Sequence, residues 1–142
     1  MEFLREAAKI EGVYVPAFYD VAYHEDGTIA SVTPKETAPA RVKKRIISDL
    51  DSVYYPDKFV VPFVDIVHDR AVTEVFRGCI RGCRFCQAGF IYRPIREKKS
   101  ETVNRQAKCL CETTGYDEVS LCSLSTSDYS QVEKQIPDML SW

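Results

Sequence analysis

Three cysteines, Cys79, Cys83 and Cys86, stand in the spacing C-x3-C-x2-C within Arg77-Gly78-Cys79-Ile80-Arg81-Gly82-Cys83-Arg84-Phe85-Cys86-Gln87-Ala88-Gly89. Gly78 and Gly82 directly precede the first two cysteines, and glycine reaches backbone angles that other residues resist, so a short loop can turn three thiols one way. Thiolates gathered in this manner bind soft metals or iron–sulfur clusters. The number matters. A closed zinc site or an ordinary electron-transfer cluster takes four protein ligands, whereas three leave one coordination position open. The other cysteines, Cys109, Cys111 and Cys122, carry no such pattern. Cys109 and Cys111 lie two apart on an expected helix and point different ways. Cys122 suits a strand position.

Elements on both sides must hold this loop. Residues 71–76, Ala-Val-Thr-Glu-Val-Phe, read as a strand entering it. After the loop, Ser100 and Glu101 suit a helix start, with Ser100 as the N-cap, and Gly115 suits its end, so a helix is expected over 100–114. Residues 118–124 read as a second strand, Ser125 to Asp128 as a polar loop and cap, and a further helix begins near Tyr129, with Pro137 inside it. Strand–helix–strand over this length implies a parallel crossover. Two parallel strands neither close a barrel nor bury both faces of a sheet. The expectation is therefore a piece of a larger protein, or a chain whose sheet a partner completes.

Upstream, residues 2–10 carry an apolar stripe at helical spacing that Gly12 ends. Residues 13–23 read as a strand interrupted by Pro16, with a hairpin turn at Glu25-Asp26-Gly27 and a return strand over 28–32. Residues 41–50 suit either a helix or an edge strand, and strand is preferred. Residues 59–67 are apolar and extended, with Pro62 placing them at a sheet edge or approach. The organisation expected is a β-rich lead-in over 1–70, then an α/β core over 71–142.

The chain of 142 residues holds 19 basic and 21 acidic side chains, a net charge of −2 that argues for no polyanionic partner, although nucleic acid stays open because Arg77, Arg81, Arg84, Arg93, Arg96, Lys98 and Lys99 cluster locally. No apolar run approaches the roughly 18 residues of a membrane span. The first twenty residues are too charged for a signal peptide. Six cysteines without such a leader point to a reducing cytoplasm.

The three cysteines, with the aromatic Phe85 just before the last, resemble the signature of the radical S-adenosylmethionine (SAM) superfamily. More narrowly, Glu74-Val75-Phe76-Arg77-Gly78-Cys79, Cys86-Gln87-Ala88-Gly89-Phe90-Ile91-Tyr92-Arg93-Pro94 and Ser123-Leu124-Ser125-Thr126-Ser127-Asp128-Tyr129 resemble the middle segment of a bacterial radical SAM family. Full-length members of that family carry a cobalamin-binding-like domain upstream. Gly12-Val13-Tyr14-Val15-Pro16 and Ile66-Val67-His68-Asp69-Arg70 are similar to the same family.

The resemblance implies a fold in which residues 71–142 form the first two βα units of a partial, TIM-like radical SAM barrel. It implies that Cys79, Cys83 and Cys86 hold a [4Fe-4S] cluster whose fourth iron binds SAM, and that reductive cleavage of SAM yields a 5′-deoxyadenosyl radical. Phe85 matches the aromatic near the adenine, and Ser125 lies where the superfamily holds the methionine amino group, although no Gly-Gly-Glu stands there. The implied partners are the remainder of the polypeptide, or another chain, completing the barrel, and a flavodoxin or ferredoxin as reductant. No Asp-x-His-x-x-Gly occurs, and neither His24 nor His68 fits that pattern, so cobalamin binding by this chain is not expected. The reading from a different class is a non-catalytic iron–sulfur or zinc module, with a fourth ligand from Cys109, Cys111, Cys122 or a partner. The two differ in whether one metal position stays open.

Overall fold

A computed structural model describes residues 1–142. The fold is mixed α/β, with three two-stranded sheets and four α-helices, and it divides into two compact units, Met1–Ile47 and Ser48–Trp142.

In the first unit, helix α1 (Glu2–Ala8) precedes an antiparallel hairpin of β1 (Tyr19–Tyr23) and β2 (Ile29–Pro34). The turn closes because Asp26 Oδ1 accepts from both the backbone N–H and the hydroxyl of Thr28, at 2.9 and 2.7 Å, while Gly27 takes φ +82°. Pro16–Phe18 form a 3-10 turn at the point where Pro16 interrupts the expected strand. Proline lacks the N–H that a ladder needs, and the turn buries Phe18 against Val15 and Tyr19. Residues 41–47 form no strand, contrary to expectation. Val42 packs against this core while Ile46 and Ile47 stay exposed, so the segment lacks the alternating burial of a paired strand.

The second unit carries the cysteine loop. Strand β3 (Ala71–Glu74) pairs in parallel with β6 (Val119–Cys122), in register Ala71↔Val119 to Glu74↔Cys122. The single strand expected over 71–76 is split at Val75. Its N–H donates to Cys122 O of the parallel pair, and its carbonyl accepts from Lys98 N. Beyond Val75, β4 (Phe76–Arg77) pairs antiparallel with β5 (Arg96–Glu97). The cysteine loop and a short helix α2 (Ala88–Ile91) lie between these two strands, so β4 and β5 clamp both ends of the loop.

Helix α3 (Ser100–Thr114) packs on β3, and α4 (Val132–Leu140) packs on α3. Gly115 stops α3 in the left-handed region at φ +79°, donating its N–H to Cys111 O. The start of α3 differs from expectation. Lys99 is the N-cap, and the Ser100 hydroxyl is buried without a partner. Two distant side chains satisfy the leading N–H groups instead: Asp51 accepts from Lys99 N at 2.9 Å, and Gln131 accepts from Ser100 N at 3.1 Å. Helix α4 runs through Pro137. Residues 59–67 join no sheet, and Val60, Phe63 and Val67 are exposed.

The core of this unit is Val75, Phe76, Val103 and Tyr129. The rings of Phe76 and Tyr129 stack with centres 6.5 Å apart, and the Tyr129 hydroxyl donates to Lys98 O at 2.8 Å. That contact joins the loop clamp to the segment following β6. No helix is long and apolar enough to cross a membrane.

Candidate functional site

The cysteine loop leaves β4 through Gly78, which is buried at φ +98°. Gly82 turns the chain again at φ +61°. Between these turns, Cys79 is half-buried and its sulfur accepts the N–H of Arg81 at 3.4 Å. Cys83 is exposed and its carbonyl accepts the N–H of Cys86, a half-buried residue, at 3.1 Å. All three are free thiols on one short loop, the donor type that soft metal groups take. Their sulfurs do not converge: no group of three or more His, Cys, Asp or Glu side chains is gathered about a point. By chemistry and confinement to one loop the residues fit an iron–sulfur group, and binding would require the side chains to turn inward.

Phe85 is 93% exposed. Ser125 is half-buried at the head of a 3-10 turn, Thr126–Asp128, that follows β6. Its hydroxyl donates to Asp128 Oδ2 at 2.6 Å, and neighbouring hydroxyls close on one another, Ser123 Oγ lying 2.9 Å from Thr126 Oγ1.

The structure joins this turn to the cysteine loop through a pair that the sequence reading did not single out. Arg81, between Cys79 and Cys83, donates through Nε to Asp128 Oδ2 at 2.7 Å and through a terminal nitrogen to Oδ1. Both contacts are charge-assisted, and the planar guanidinium matches the carboxylate in a two-pronged fit. The Arg81 guanidinium, then the Ser125 hydroxyl, hold the Asp128 carboxyl below its ordinary range. A carboxylate with a depressed folded-state pKa contributes stability above the unfolded pKa and loses it as pH falls through the folded value. The latch therefore holds at neutral pH and weakens on acidification. Ser125 and Cys79 are thus brought together through Asp128 and Arg81. The available signals were an arginine between two candidate ligands and an aspartate three residues after Ser125, but neither side chain names its partner.

Other members of the basic cluster have local partners. Arg77 Nε donates to both carboxylate oxygens of Glu74, at 2.8 and 3.0 Å. The Arg93 guanidinium lies 4.9 Å from the centre of the Phe90 ring. Arg96 donates to the carbonyls of Pro94 and Tyr92, at 3.0 and 3.1 Å. Of the remaining cysteines, Cys109 donates its thiol to Asp57 O at 3.4 Å, burial pushes the Cys111 thiol pKa up, and Cys122 is exposed on β6.

Reversing one charge, Arg81→Asp or Asp128→Arg, should speed amide hydrogen exchange across residues 78–87 by about tenfold, and the double exchange should restore much of the protection. Single variants matching the unmodified chain would show that the pair does not hold the loop.

Comparison with protein-family models, curated proteins and solved structures finds no match to this chain.

Proposed function

We propose that this chain supplies the cluster loop and part of the SAM site of a radical SAM enzyme, as the opening βα units of a partial barrel that further chain completes. One observation supports the reading above the others. Parallel strands β3 and β6 send their carboxyl ends the same way, and the segments that follow, one bearing Cys79, Cys83 and Cys86 and the other Ser125, are tied by Arg81 to Asp128. In parallel α/β sheets, ligands bind beyond the carboxyl ends of the strands.

Cys79, Cys83 and Cys86 would hold a [4Fe-4S] cluster, which with SAM supplies one-electron cleavage of a carbon–sulfur bond to give a 5′-deoxyadenosyl radical. This chain's own side chains position and shield. Gly78 and Gly82 turn the loop, Arg81 anchors it, and Ser125, held by Asp128, would receive the SAM amino group. Exposed Phe85 is an apolar face free to pack on an adenine ring. A flavodoxin or ferredoxin is the proposed class of reductant.

The test is an electron paramagnetic resonance spectrum of the anaerobically reconstituted and reduced chain. A [4Fe-4S] signal that shifts on adding SAM, and disappears in Cys83→Ala, is the expected result. A cluster indifferent to SAM because a fourth protein ligand closes it, seen as a change of the signal when Cys109, Cys111 or Cys122 is replaced, or zinc in place of iron, would replace this reading with the non-catalytic module.

A further inference from the structure

Lys98 follows β5 and is 4% exposed. Its backbone is fixed on both sides, the N–H donating to Val75 O and the carbonyl accepting from Tyr129. Its Nζ donates to Gln106 Oε1 on α3 at 2.9 Å and sits 4.8 Å from the centre of the Tyr55 ring. None of the chain's ion pairs includes it. An ammonium carries three donors, and a buried charge without a counter-charge is costly. One amide oxygen and one aromatic face leave donor capacity unused.

That capacity faces a cavity of about 130 Å³, lined by Lys98, Arg77, Gln106, Glu74, Tyr55 and Leu50 among others. Each acceptor there already takes one hydrogen bond. Glu74 takes the Nε–H of Arg77, and the Gln106 oxygen takes Lys98. The nearby Asp51 carboxylate accepts from the Lys99 amide. The terminal amino groups of Arg77 remain as donors. Summed over Lys98, Arg77 and Glu74, the lining carries one net positive charge, so its complement is a monoanion. Arg77 and Glu74, with side chains 40% and 34% exposed, give the cavity its opening to solvent. Burial lowers the Lys98 pKa; the Glu74 carboxylate, and more weakly Asp51, oppose that shift while the Arg77 charge adds to it, so the nearby carboxylates do not make up for the lost hydration.

We propose that this cavity is a binding site for a small planar oxyanion, a free carboxylate of acetate size or bicarbonate, held by Lys98 Nζ and the Arg77 fork. Planar oxyanions match the guanidinium fork, and the apolar wall of Leu50 and Tyr55 strengthens charge-assisted bonds by excluding water. The site does not depend on the cluster reading, and its test uses the chain without iron, so either can fail alone.

The experiment is a titration of the ¹⁵N-labelled chain with sodium acetate, sodium bicarbonate, sodium phosphate and sodium chloride at matched ionic strength, followed by NMR. Saturable shifts at Lys98, Arg77 and Gln106 with acetate or bicarbonate are expected, and the tighter binder identifies the source. Lys98→Met should abolish the shifts, while Lys108→Met, an exposed lysine on α3, should retain them. Saturation by phosphate alone, shifts equal to those of chloride, or no shift at these residues in the unmodified chain would overturn the proposal. So would full binding in Lys98→Met.

Discussion

Gly78→Val should cost about 3–5 kcal/mol of stability and dislodge the cysteine loop. The position imposes two separate penalties. Its φ of +98° is one that a β-branched residue resists. A Cβ there would also lie 2.9 Å from Ile95 Cα, 2.9 Å from Pro94 O and 3.0 Å from Tyr92 O. All three are backbone atoms, so no side chain can swing aside, and relief comes only by moving the β4–β5 clamp. Gly82 is the internal control. It too has a positive φ, but an added Cβ meets only the end of Arg93 at 3.7 Å. Gly82→Ala should therefore cost only about 1 kcal/mol. Chemical denaturation checks the energies, and the alkylation rate of Cys79 checks the placement. Equal losses at the two glycines would refute the close-approach argument.

Tyr129→Ala should be comparably damaging, removing about 3–5 kcal/mol from a unit whose total is expected to be about 5–15 kcal/mol. Tyr129 is 1% exposed, stacks on Phe76 and packs with Val75 and Val103. Truncation opens a cavity between the segment after β6 and the loop clamp, and leaves Lys98 O with only the long 3.5 Å bond from Gln131 Nε2. The conservative Tyr129→Phe keeps the packing and should cost about 1 kcal/mol at neutral pH.

The two variants also separate by pH. Burial, ahead of the nearby Glu97 charge, pushes the Tyr129 hydroxyl pKa up to about 12. The folded state thus favours the protonated phenol. That contribution is fully present below the unfolded-state value near 10 and is lost as pH rises toward about 12. Tyr129→Phe should lack this alkaline loss, so its stability should converge on that of the unmodified chain between about pH 10 and 12. Parallel pH profiles for the two proteins would refute the assignment.

These expectations rest on features of unequal legibility. Helix α3, its stop at Gly115, the hairpin around Gly27 and the parallel pairing of residues 71–74 with 119–122 follow from local signals. The strand expected over 41–50 failed because β-branched residues beside basic ones look alike in an edge strand and in an irregular connection, and only a pairing partner distinguishes them. Ser100 failed as a cap for a related reason. Its composition was right, but Asp51 and Gln131 satisfied the helix start from elsewhere in the chain.

By itself, the sequence determined that three thiols share one loop between glycine turns, that a helix follows over 100–114, and that residues 118–124 return as a strand. Such features are set by spacing and backbone propensity within a few residues. Tertiary structure decided which charges meet. Arg81 finds Asp128 across 47 positions, while Lys98, in the same basic cluster, is buried against Tyr55 and Gln106. A lysine or arginine reads the same whether solvated, paired or buried. The burial of the surrounding backbone and the arrival of a distant partner assign its role, and both depend on how the whole unit closes.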